Sequence, residues 1–296
     1  MKDDMTDYAL DGHAVRAHFE RAADSYDSAA ALQAEVAKRL VERLEMVKLQ
    51  PVRVLDLGAG TGLATAGLLE RYSRARVIAS DLAQGMLRHA SRRGRWRRRP
   101  LAVAADAAAL PFGDGTFDLV CSSLMLQWCH PPGHVFDEVR RVLAPGGLFM
   151  FATLGPDTLR ELRASWAEVD GGQHVGLFMD MHDLGDAMLR AGFLDPVVDV
   201  ERITLTYNEV TGLLRDLKAL GATNASAGRG KGLGGRVALT NMCRAYEAYR
   251  RVDGLLPATY EVVYGHAWVG EGRMDKSEPV PEVPVSLEWL RRGRKN

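Results

Sequence analysis

Only three cysteines occur in the 296 residues, Cys121, Cys129 and Cys243, an odd number without metal-like spacing. That excludes a disulfide framework and points to reduced thiols. Charge of one sign is also lacking: 38 basic residues meet 38 acidic ones, so no overall field recruits a polyanion or a membrane surface. The longest apolar stretches, around Leu148–Leu154, are strand-sized, far short of the ~20 residues of a membrane span. The opening segment Met1–Asp11 carries Lys2 beside Asp3, Asp4 and Asp7 with no apolar run behind it, which argues against a secretory or transit signal. His174, His182 and His266 are scattered without metal-site spacing, so no metal is expected. These absences lead to the expectation of a cytoplasmic protein that binds neither nucleic acid nor membrane. They leave its oligomeric state open.

What is present is alternation. A helical stretch over Ala14–Val47 precedes short apolar runs at Arg53–Leu57, Arg76–Ser80, Leu101–Ala104, Asp118–Ser122 and Leu148–Thr153, separated by helical segments. Near-continuous apolar strands of this kind belong to a parallel sheet covered on both faces. The spacing predicts an α/β fold with a doubly wound, mostly parallel sheet. Helices follow over Asp157–Val169 and Met181–Ala191, then a strand over Glu201–Tyr207, helices over Glu209–Leu220 and Val237–Val252, and a strand over Thr259–Val269. The organisation reads as a helical cap (1–50), a core domain (51–269) with lid insertions at about 155–200 and 208–252, and a flexible tail (270–296).

The strongest local signal is Asp56-Leu57-Gly58-Ala59-Gly60-Thr61-Gly62. An apolar strand ends in an acid, and a glycine loop then opens a helix, letting backbone approach a ligand at the carboxyl edge of the sheet. Asp56 would repel a pyrophosphate but not a ligand carrying an ammonium and a sulfonium. Asp81 and Asp106 end the next two strands, where carboxylates can accept from ribose hydroxyls and from an adenine amino group.

This stretch resembles the class I S-adenosylmethionine-dependent methyltransferases. Phe117-Asp118-Leu119-Val120 with Ser122 is similar to their fourth-strand motif, and Arg141-Val142-Leu143-Ala144-Pro145-Gly146-Gly147 to the turn before their fifth strand. The resemblance implies S-adenosylmethionine as cofactor, a seven-stranded Rossmann-like sheet with an antiparallel last strand, and a helical lid. Asp56, Gly58, Gly60, Gly62, Asp81, Leu82, Asp106, Ala107 and Ser122 are the implied cofactor-binding residues.

The flanks are more specific. Phe19–Asp27, Leu126-Gln127-Trp128-Cys129, Gly155–Leu159, Asp183–Ala187, Leu217–Asn224 and Leu256–Tyr260 resemble the BioC-type malonyl-acyl-carrier-protein O-methyltransferases of biotin synthesis. That resemblance implies methylation of a malonyl carboxylate carried on acyl carrier protein. Such an acceptor is already ionised at neutral pH, so no general base is expected. Positioning is then the task of Tyr26, a candidate to place its ring against the sulfonium, and of Gln127 and Trp128 beside the acceptor.

A buried acceptor carboxylate calls for a cation or convergent donors. Arg160, Arg163, Arg215, Lys218, Arg229 and Arg236 are the candidates, unranked. Docking of an acidic carrier protein is expected at Arg215, Lys218, Arg229, Lys231 and Arg236. The arginine run over residues 92–99 is expected at the amino edge of the sheet, away from the cofactor. Alternatives are a cofactor-binding protein of the complex I assembly type that modifies arginine, a methyltransferase for a quinone or free acid, and a non-catalytic assembly factor.

Overall fold

The computed structural model describes residues 12–129, 131–170, 172, 174–222 and 235–270. Four of the five residues of β1 (Arg53–Leu57) are buried, because the strand is flanked on both sides: Val54 lies in register with Val77 of β2 (Arg76–Asp81) and with Leu119 of β4 (Phe117–Ser123). A strand covered on both faces has no solvent side to alternate toward, hence its continuous apolar run. With β3 (Leu101–Ala104), β5 (Leu143–Leu154), β6 (Leu194–Tyr207) and β7 (Leu256–Trp268), the sheet runs β3-β2-β1-β4-β5-β7-β6. Strands β1 to β5 are parallel, and β7 is antiparallel to both β5 and β6.

Helices cover the two faces. Leu32, Val36 and Leu40 recur every fourth residue of α3 (Ala31–Arg43) and are buried. They pack with Val54, Leu68, Val77 and Leu119 into the core on one face. On the other, Val135, Phe136 and Val139 of α6 (Gly133–Val142) meet Leu55, Val120, Phe149 and Phe151. Phe136 lies 6.0 Å from Phe149 by ring centroids. Burying one such ring contributes about 1.5–3 kcal/mol, so these faces hold the sheet rigid beneath its loops.

Several sequence expectations change, β5 among them, which begins at Leu143 rather than Leu148. The amino-terminal helical stretch is not continuous: α1 (Gly12–Ala22), α2 (Tyr26–Ala29) and α3 are separated by turns, and a 3-10 turn (Leu44–Met46) follows. Strand β6 begins seven residues before the expected Glu201. Its start is masked by Pro196 and by Asp195, which sits at φ 48° where the pairing with β7 shifts register. The last strand starts at Leu256 rather than Thr259. The remaining helices are α4 (Leu63–Arg71), α5 (Gln84–Ala90), α7 (Arg160–Ala167), α8 (Met181–Arg190), α9 (Val210–Ala219) and α10 (Gly235–Tyr246). Among the described residues, no helix is long and apolar enough to cross a membrane.

Candidate active site

The carboxyl ends of β1, β2 and β3 open onto one cleft of about 1430 Å³, mouth included, lined by Asp56, Gly58, Gly60, Asp81, Leu82, Asp106 and Ala107. Gly58 and Gly60 hold φ of 72° and 54°, the left-handed region that side chains avoid. A β-carbon on Gly58 would lie 2.2 Å from Met125 Cγ, whereas one on Gly60 meets nothing within 4 Å. Gly58 thus lets the segment after β4 close in, and Gly60 keeps the cleft clear. The Gly60 amide donates to Asp81 Oδ2 at 2.8 Å and the Ala83 amide to Asp81 Oδ1 at 2.8 Å. Burial raises the Asp81 carboxyl above its ordinary range, against the pull of those backbone donors.

Asp56 is fully buried. Its Oδ2 accepts from the Thr65 hydroxyl, while Oδ1 has no partner among the described residues. Burial pushes its pKa up to about 7; the Thr65 hydrogen bond opposes this and the nearby Asp81 adds to it. A buried acceptor without a donor is costly. Asp56 therefore fits a ligand that brings a proton donor or positive charge into the cleft.

Two expected cofactor residues fall outside the lining. Ser122 is buried beneath the strand end, and its neighbour Ser123 faces the cleft instead. Successive strand residues point to opposite faces, so one residue decides the matter. Gly62 caps α4 at φ 87° and packs against Ala90 and Arg93.

A second cavity, of about 1550 Å³ with its mouth, adjoins the first. Phe19, Tyr26, Gln33, Leu124, Trp128 and Cys129 line both and form the wall between them. Phe19 meets Trp128 edge to face at 5.2 Å. Burial, then Asp81 and Asp27, drive the Tyr26 hydroxyl pKa upward, so it stays protonated. Burial likewise pushes the Cys129 thiol to about 12, aided by Asp106 and Asp81. It is no thiolate at neutral pH.

The second cavity is an apolar chamber into which Gln127 projects with its amide fixed at both ends. Nε2 donates to the Leu124 carbonyl at 2.7 Å, and Oε1 accepts from Thr153 Oγ1 at 3.1 Å. The Leu124 carbonyl sets this orientation and leaves one amide hydrogen unused by that bond. Among its described lining residues there is no lysine or arginine. Those of the expected cations that the structure describes lie elsewhere. Arg163 donates to the carbonyls of Pro156 and Thr158, and Arg160 pairs with Glu161 at 3.5 Å. Arg215 and Lys218 are exposed on α9, which turns Asp216, Leu217 and Leu220 inward. Arg236 is exposed at the start of α10, and Arg229 and Lys231 lie outside the described residues.

Other chamber residues were not anticipated from the sequence: Thr153, Tyr207, Asp216 and Tyr260. They arrive from four separate segments; Thr153 carried a local signal as a strand end on the ligand edge, and Tyr260 as the end of the Leu256–Tyr260 segment. His174, read as a scattered histidine, lines the chamber and stacks on Trp166 at 3.7 Å, with Nε2 2.8 Å from Asp170 Oδ1. No group of residues that could hold a metal ion occurs among the described residues.

Known proteins match this architecture. A family model described as a methyltransferase domain matches residues 55–151. A solved structure of a putative methyltransferase from Bacillus halodurans shares the fold, with a TM-score of 0.55 at 17% identity over 78% of this chain and 98% of that one. A malonyl-(acyl-carrier protein) O-methyltransferase of Halorhodospira halophila is 51% identical over 97% of this chain and 98% of its own length. One of Laribacter hongkongensis is 55% identical over 88% and 90%. With both relatives matched across nearly their full length, the chain belongs to the malonyl-(acyl-carrier protein) O-methyltransferase family.

Proposed function

We propose that this protein methylates the free carboxylate of a malonyl group carried on acyl carrier protein, releasing the methyl ester for biotin synthesis. The observation that carries this reading is the pair of adjoining cavities, one acidic and glycine-lined, the other apolar with no lysine or arginine among its described lining residues. S-adenosylmethionine supplies an electrophilic methyl group on a positively charged sulfur. Asp56, whose Oδ1 has no partner among the described residues, Asp81, Leu82, Asp106 and Ala107 are the residues to hold it, over the space that Gly60 leaves clear.

The acceptor needs no base, since a carboxylate is ionised at neutral pH. The transfer converts an anion and a cation into neutral products. A fixed cation in the chamber would hold the starting carboxylate more strongly than the transition state, where its charge is already falling. An apolar chamber with neutral donors avoids that loss. The remaining Gln127 amide hydrogen is the donor best placed to orient the carboxylate, with Trp128 and Tyr26 closing the wall toward the cofactor. Cys129, kept as a thiol, does not compete for the methyl group.

Asp216 is the observation that favours a second reading, because a carboxylate in the chamber also suits a cationic acceptor such as an arginine side chain. Intact-mass analysis separates the two. Incubation with S-adenosylmethionine adds one methyl group to malonyl-acyl carrier protein, lost again on alkaline ester cleavage, and none to acetyl-acyl carrier protein or an arginine peptide. Methylation of the peptide alone would replace the first reading with the second.

A further inference from the structure

The arginine run is expected at the amino edge of the sheet, and most of it is exposed: Arg92, Arg95, Arg97, Arg98 and Arg99. Arg93 is not placed where the sequence puts the run. Its Nε donates to the Thr61 carbonyl at 2.8 Å, and its terminal nitrogen donates to Asp27 Oδ2 at 2.6 Å. Asp27 Oδ1 in turn accepts from Thr61 Oγ1 at 2.5 Å. Three residues thus close a ring joining the amino-terminal cap, the glycine loop and the turn after α5. The Arg93 stem lies against Gly62, where a β-carbon would come within 2.7 Å of its Cγ.

The ring ends one residue from Tyr26. Helix α2, which carries Tyr26 and Asp27, is four residues long and lacks a side-chain cap. A segment this short has no stability of its own, so contacts from outside decide its position. On the other side the Ser25 hydroxyl donates to the Ala219 carbonyl of α9 at 3.1 Å. On the glycine-loop side the ring around Arg93 is what holds it. Tyr26 lines both cavities and Thr61 lines the cofactor cleft, but Arg93 lines neither.

We propose that Arg93 is a positioning residue for methyl transfer: it clamps Asp27 to Thr61 and so seats Tyr26 in the wall between the two cavities. The guanidinium suits the task because its planar fork donates to a carbonyl and a carboxylate at once, which a lysine ammonium does not do with fixed geometry. The inference rests on the reading that the acidic cleft takes S-adenosylmethionine.

Calorimetric titration of S-adenosylmethionine into wild type, Arg93→Ala, Arg93→Lys, Asp27→Asn, Tyr26→Ala and the Arg93→Ala/Tyr26→Ala double variant tests it without any acceptor. Loss of a charge-assisted hydrogen bond predicts roughly tenfold weaker binding for Arg93→Ala and Asp27→Asn, with Arg93→Lys recovering little. In the Tyr26→Ala background, Arg93→Ala should add no further loss. With malonyl-acyl carrier protein as acceptor, kcat falls for Arg93→Ala while KM for the carrier stays within about twofold. Additive losses in the double variant, or wild-type affinity together with a lowered Tm, would overturn the proposal and leave Arg93 a structural residue. If Arg93→Ala does not fold, Arg93→Lys and Asp27→Asn decide by the same readouts. Failure of the carrier assay alone, with the binding cycle as expected, would count against the malonyl substrate and not against the clamp.

Discussion

The Thr65 hydroxyl donates to one carboxylate oxygen of Asp56 and leaves the other buried without a partner among the described residues. The pair sets a proton balance within the cleft. Burial pushes the Asp56 pKa up to about 7, against ~3.9 in an unfolded chain. Protonated Asp56 is thus the better-accommodated form of the free protein. Its contribution to stability is fully present below about pH 4 and is lost as pH rises through about 7.

A ligand that brings positive charge to Asp56 reverses the preference and lowers that pKa. S-adenosylmethionine binding should therefore release a proton, close to one per molecule below about pH 6 and falling toward none by about pH 8. Affinity should rise with pH over the same interval and then level off. Calorimetry in two buffers of different ionisation enthalpy reads the released proton directly. Asp56→Asn should abolish both effects; an unchanged pH profile in that variant would assign the titration to another group.

Gly58 and Gly60 share a left-handed backbone but differ in what surrounds them. Alanine at either position costs about 1 kcal/mol of backbone strain. Gly58→Ala additionally drives a methyl group into Met125, so its Tm should fall furthest. Gly60→Ala projects into open cleft, and should keep most of its stability yet lose S-adenosylmethionine affinity by roughly tenfold or more. Thermal melts beside titrations separate the two. Equal Tm losses with equal affinities would contradict the assignment of Gly60 to the ligand side.

Where the sheet is covered on both faces, the sequence was legible: Arg53–Leu57 is a strand with the expected bounds, and so is the exposed edge strand Leu101–Ala104. The three acids fall within two residues of the ends of adjacent strands and line one cleft, because parallel neighbours finish on the same edge. Ser122 shows the limit of that reading. A one-residue choice at a strand end exchanges the cleft for the core, and no composition signal distinguishes it from Ser123. The chamber was less legible still. Gln127 and Tyr207 line the same chamber across eighty residues of chain, and no local period links them. Arg93 was hidden by its own company, since an inward guanidinium in a mostly exposed run leaves the same trace as a solvated one.

Gln127 tests the neutral-donor chamber. Gln127→Leu removes the amide and should lower kcat/KM for the malonyl carrier by roughly tenfold, the worth of one hydrogen bond to a charged acceptor. Gln127→Glu keeps the shape but brings a second carboxylate toward the acceptor, so its loss should be larger, roughly a hundredfold, and should ease as pH falls toward the ordinary glutamate range. Both variants should bind S-adenosylmethionine as wild type does, because Gln127 lines the chamber and not the cofactor cleft. A Gln127→Glu enzyme as active as wild type would remove Gln127 from the acceptor's surroundings.

Helix α9 presents two faces of opposite use. Inward, Asp216, Leu217 and Leu220 line the chamber; outward, Arg215 and Lys218 are exposed. A basic surface backing the chamber wall suits an acidic carrier protein whose cargo must enter that chamber. Reversing both charges, Arg215→Glu with Lys218→Glu, should raise KM for malonyl-acyl carrier protein by roughly tenfold and leave kcat and S-adenosylmethionine affinity near wild type. The wild-type KM should itself climb with added salt, since exposed charges are screened over about 8–10 Å at physiological ionic strength. The reversed variant should have lost that salt dependence. Malonyl-coenzyme A, small and itself anionic, provides the contrast: if its KM rises as much as that of the carrier, the two residues attract any anion. Selective loss with the carrier protein would establish α9 as part of its docking surface.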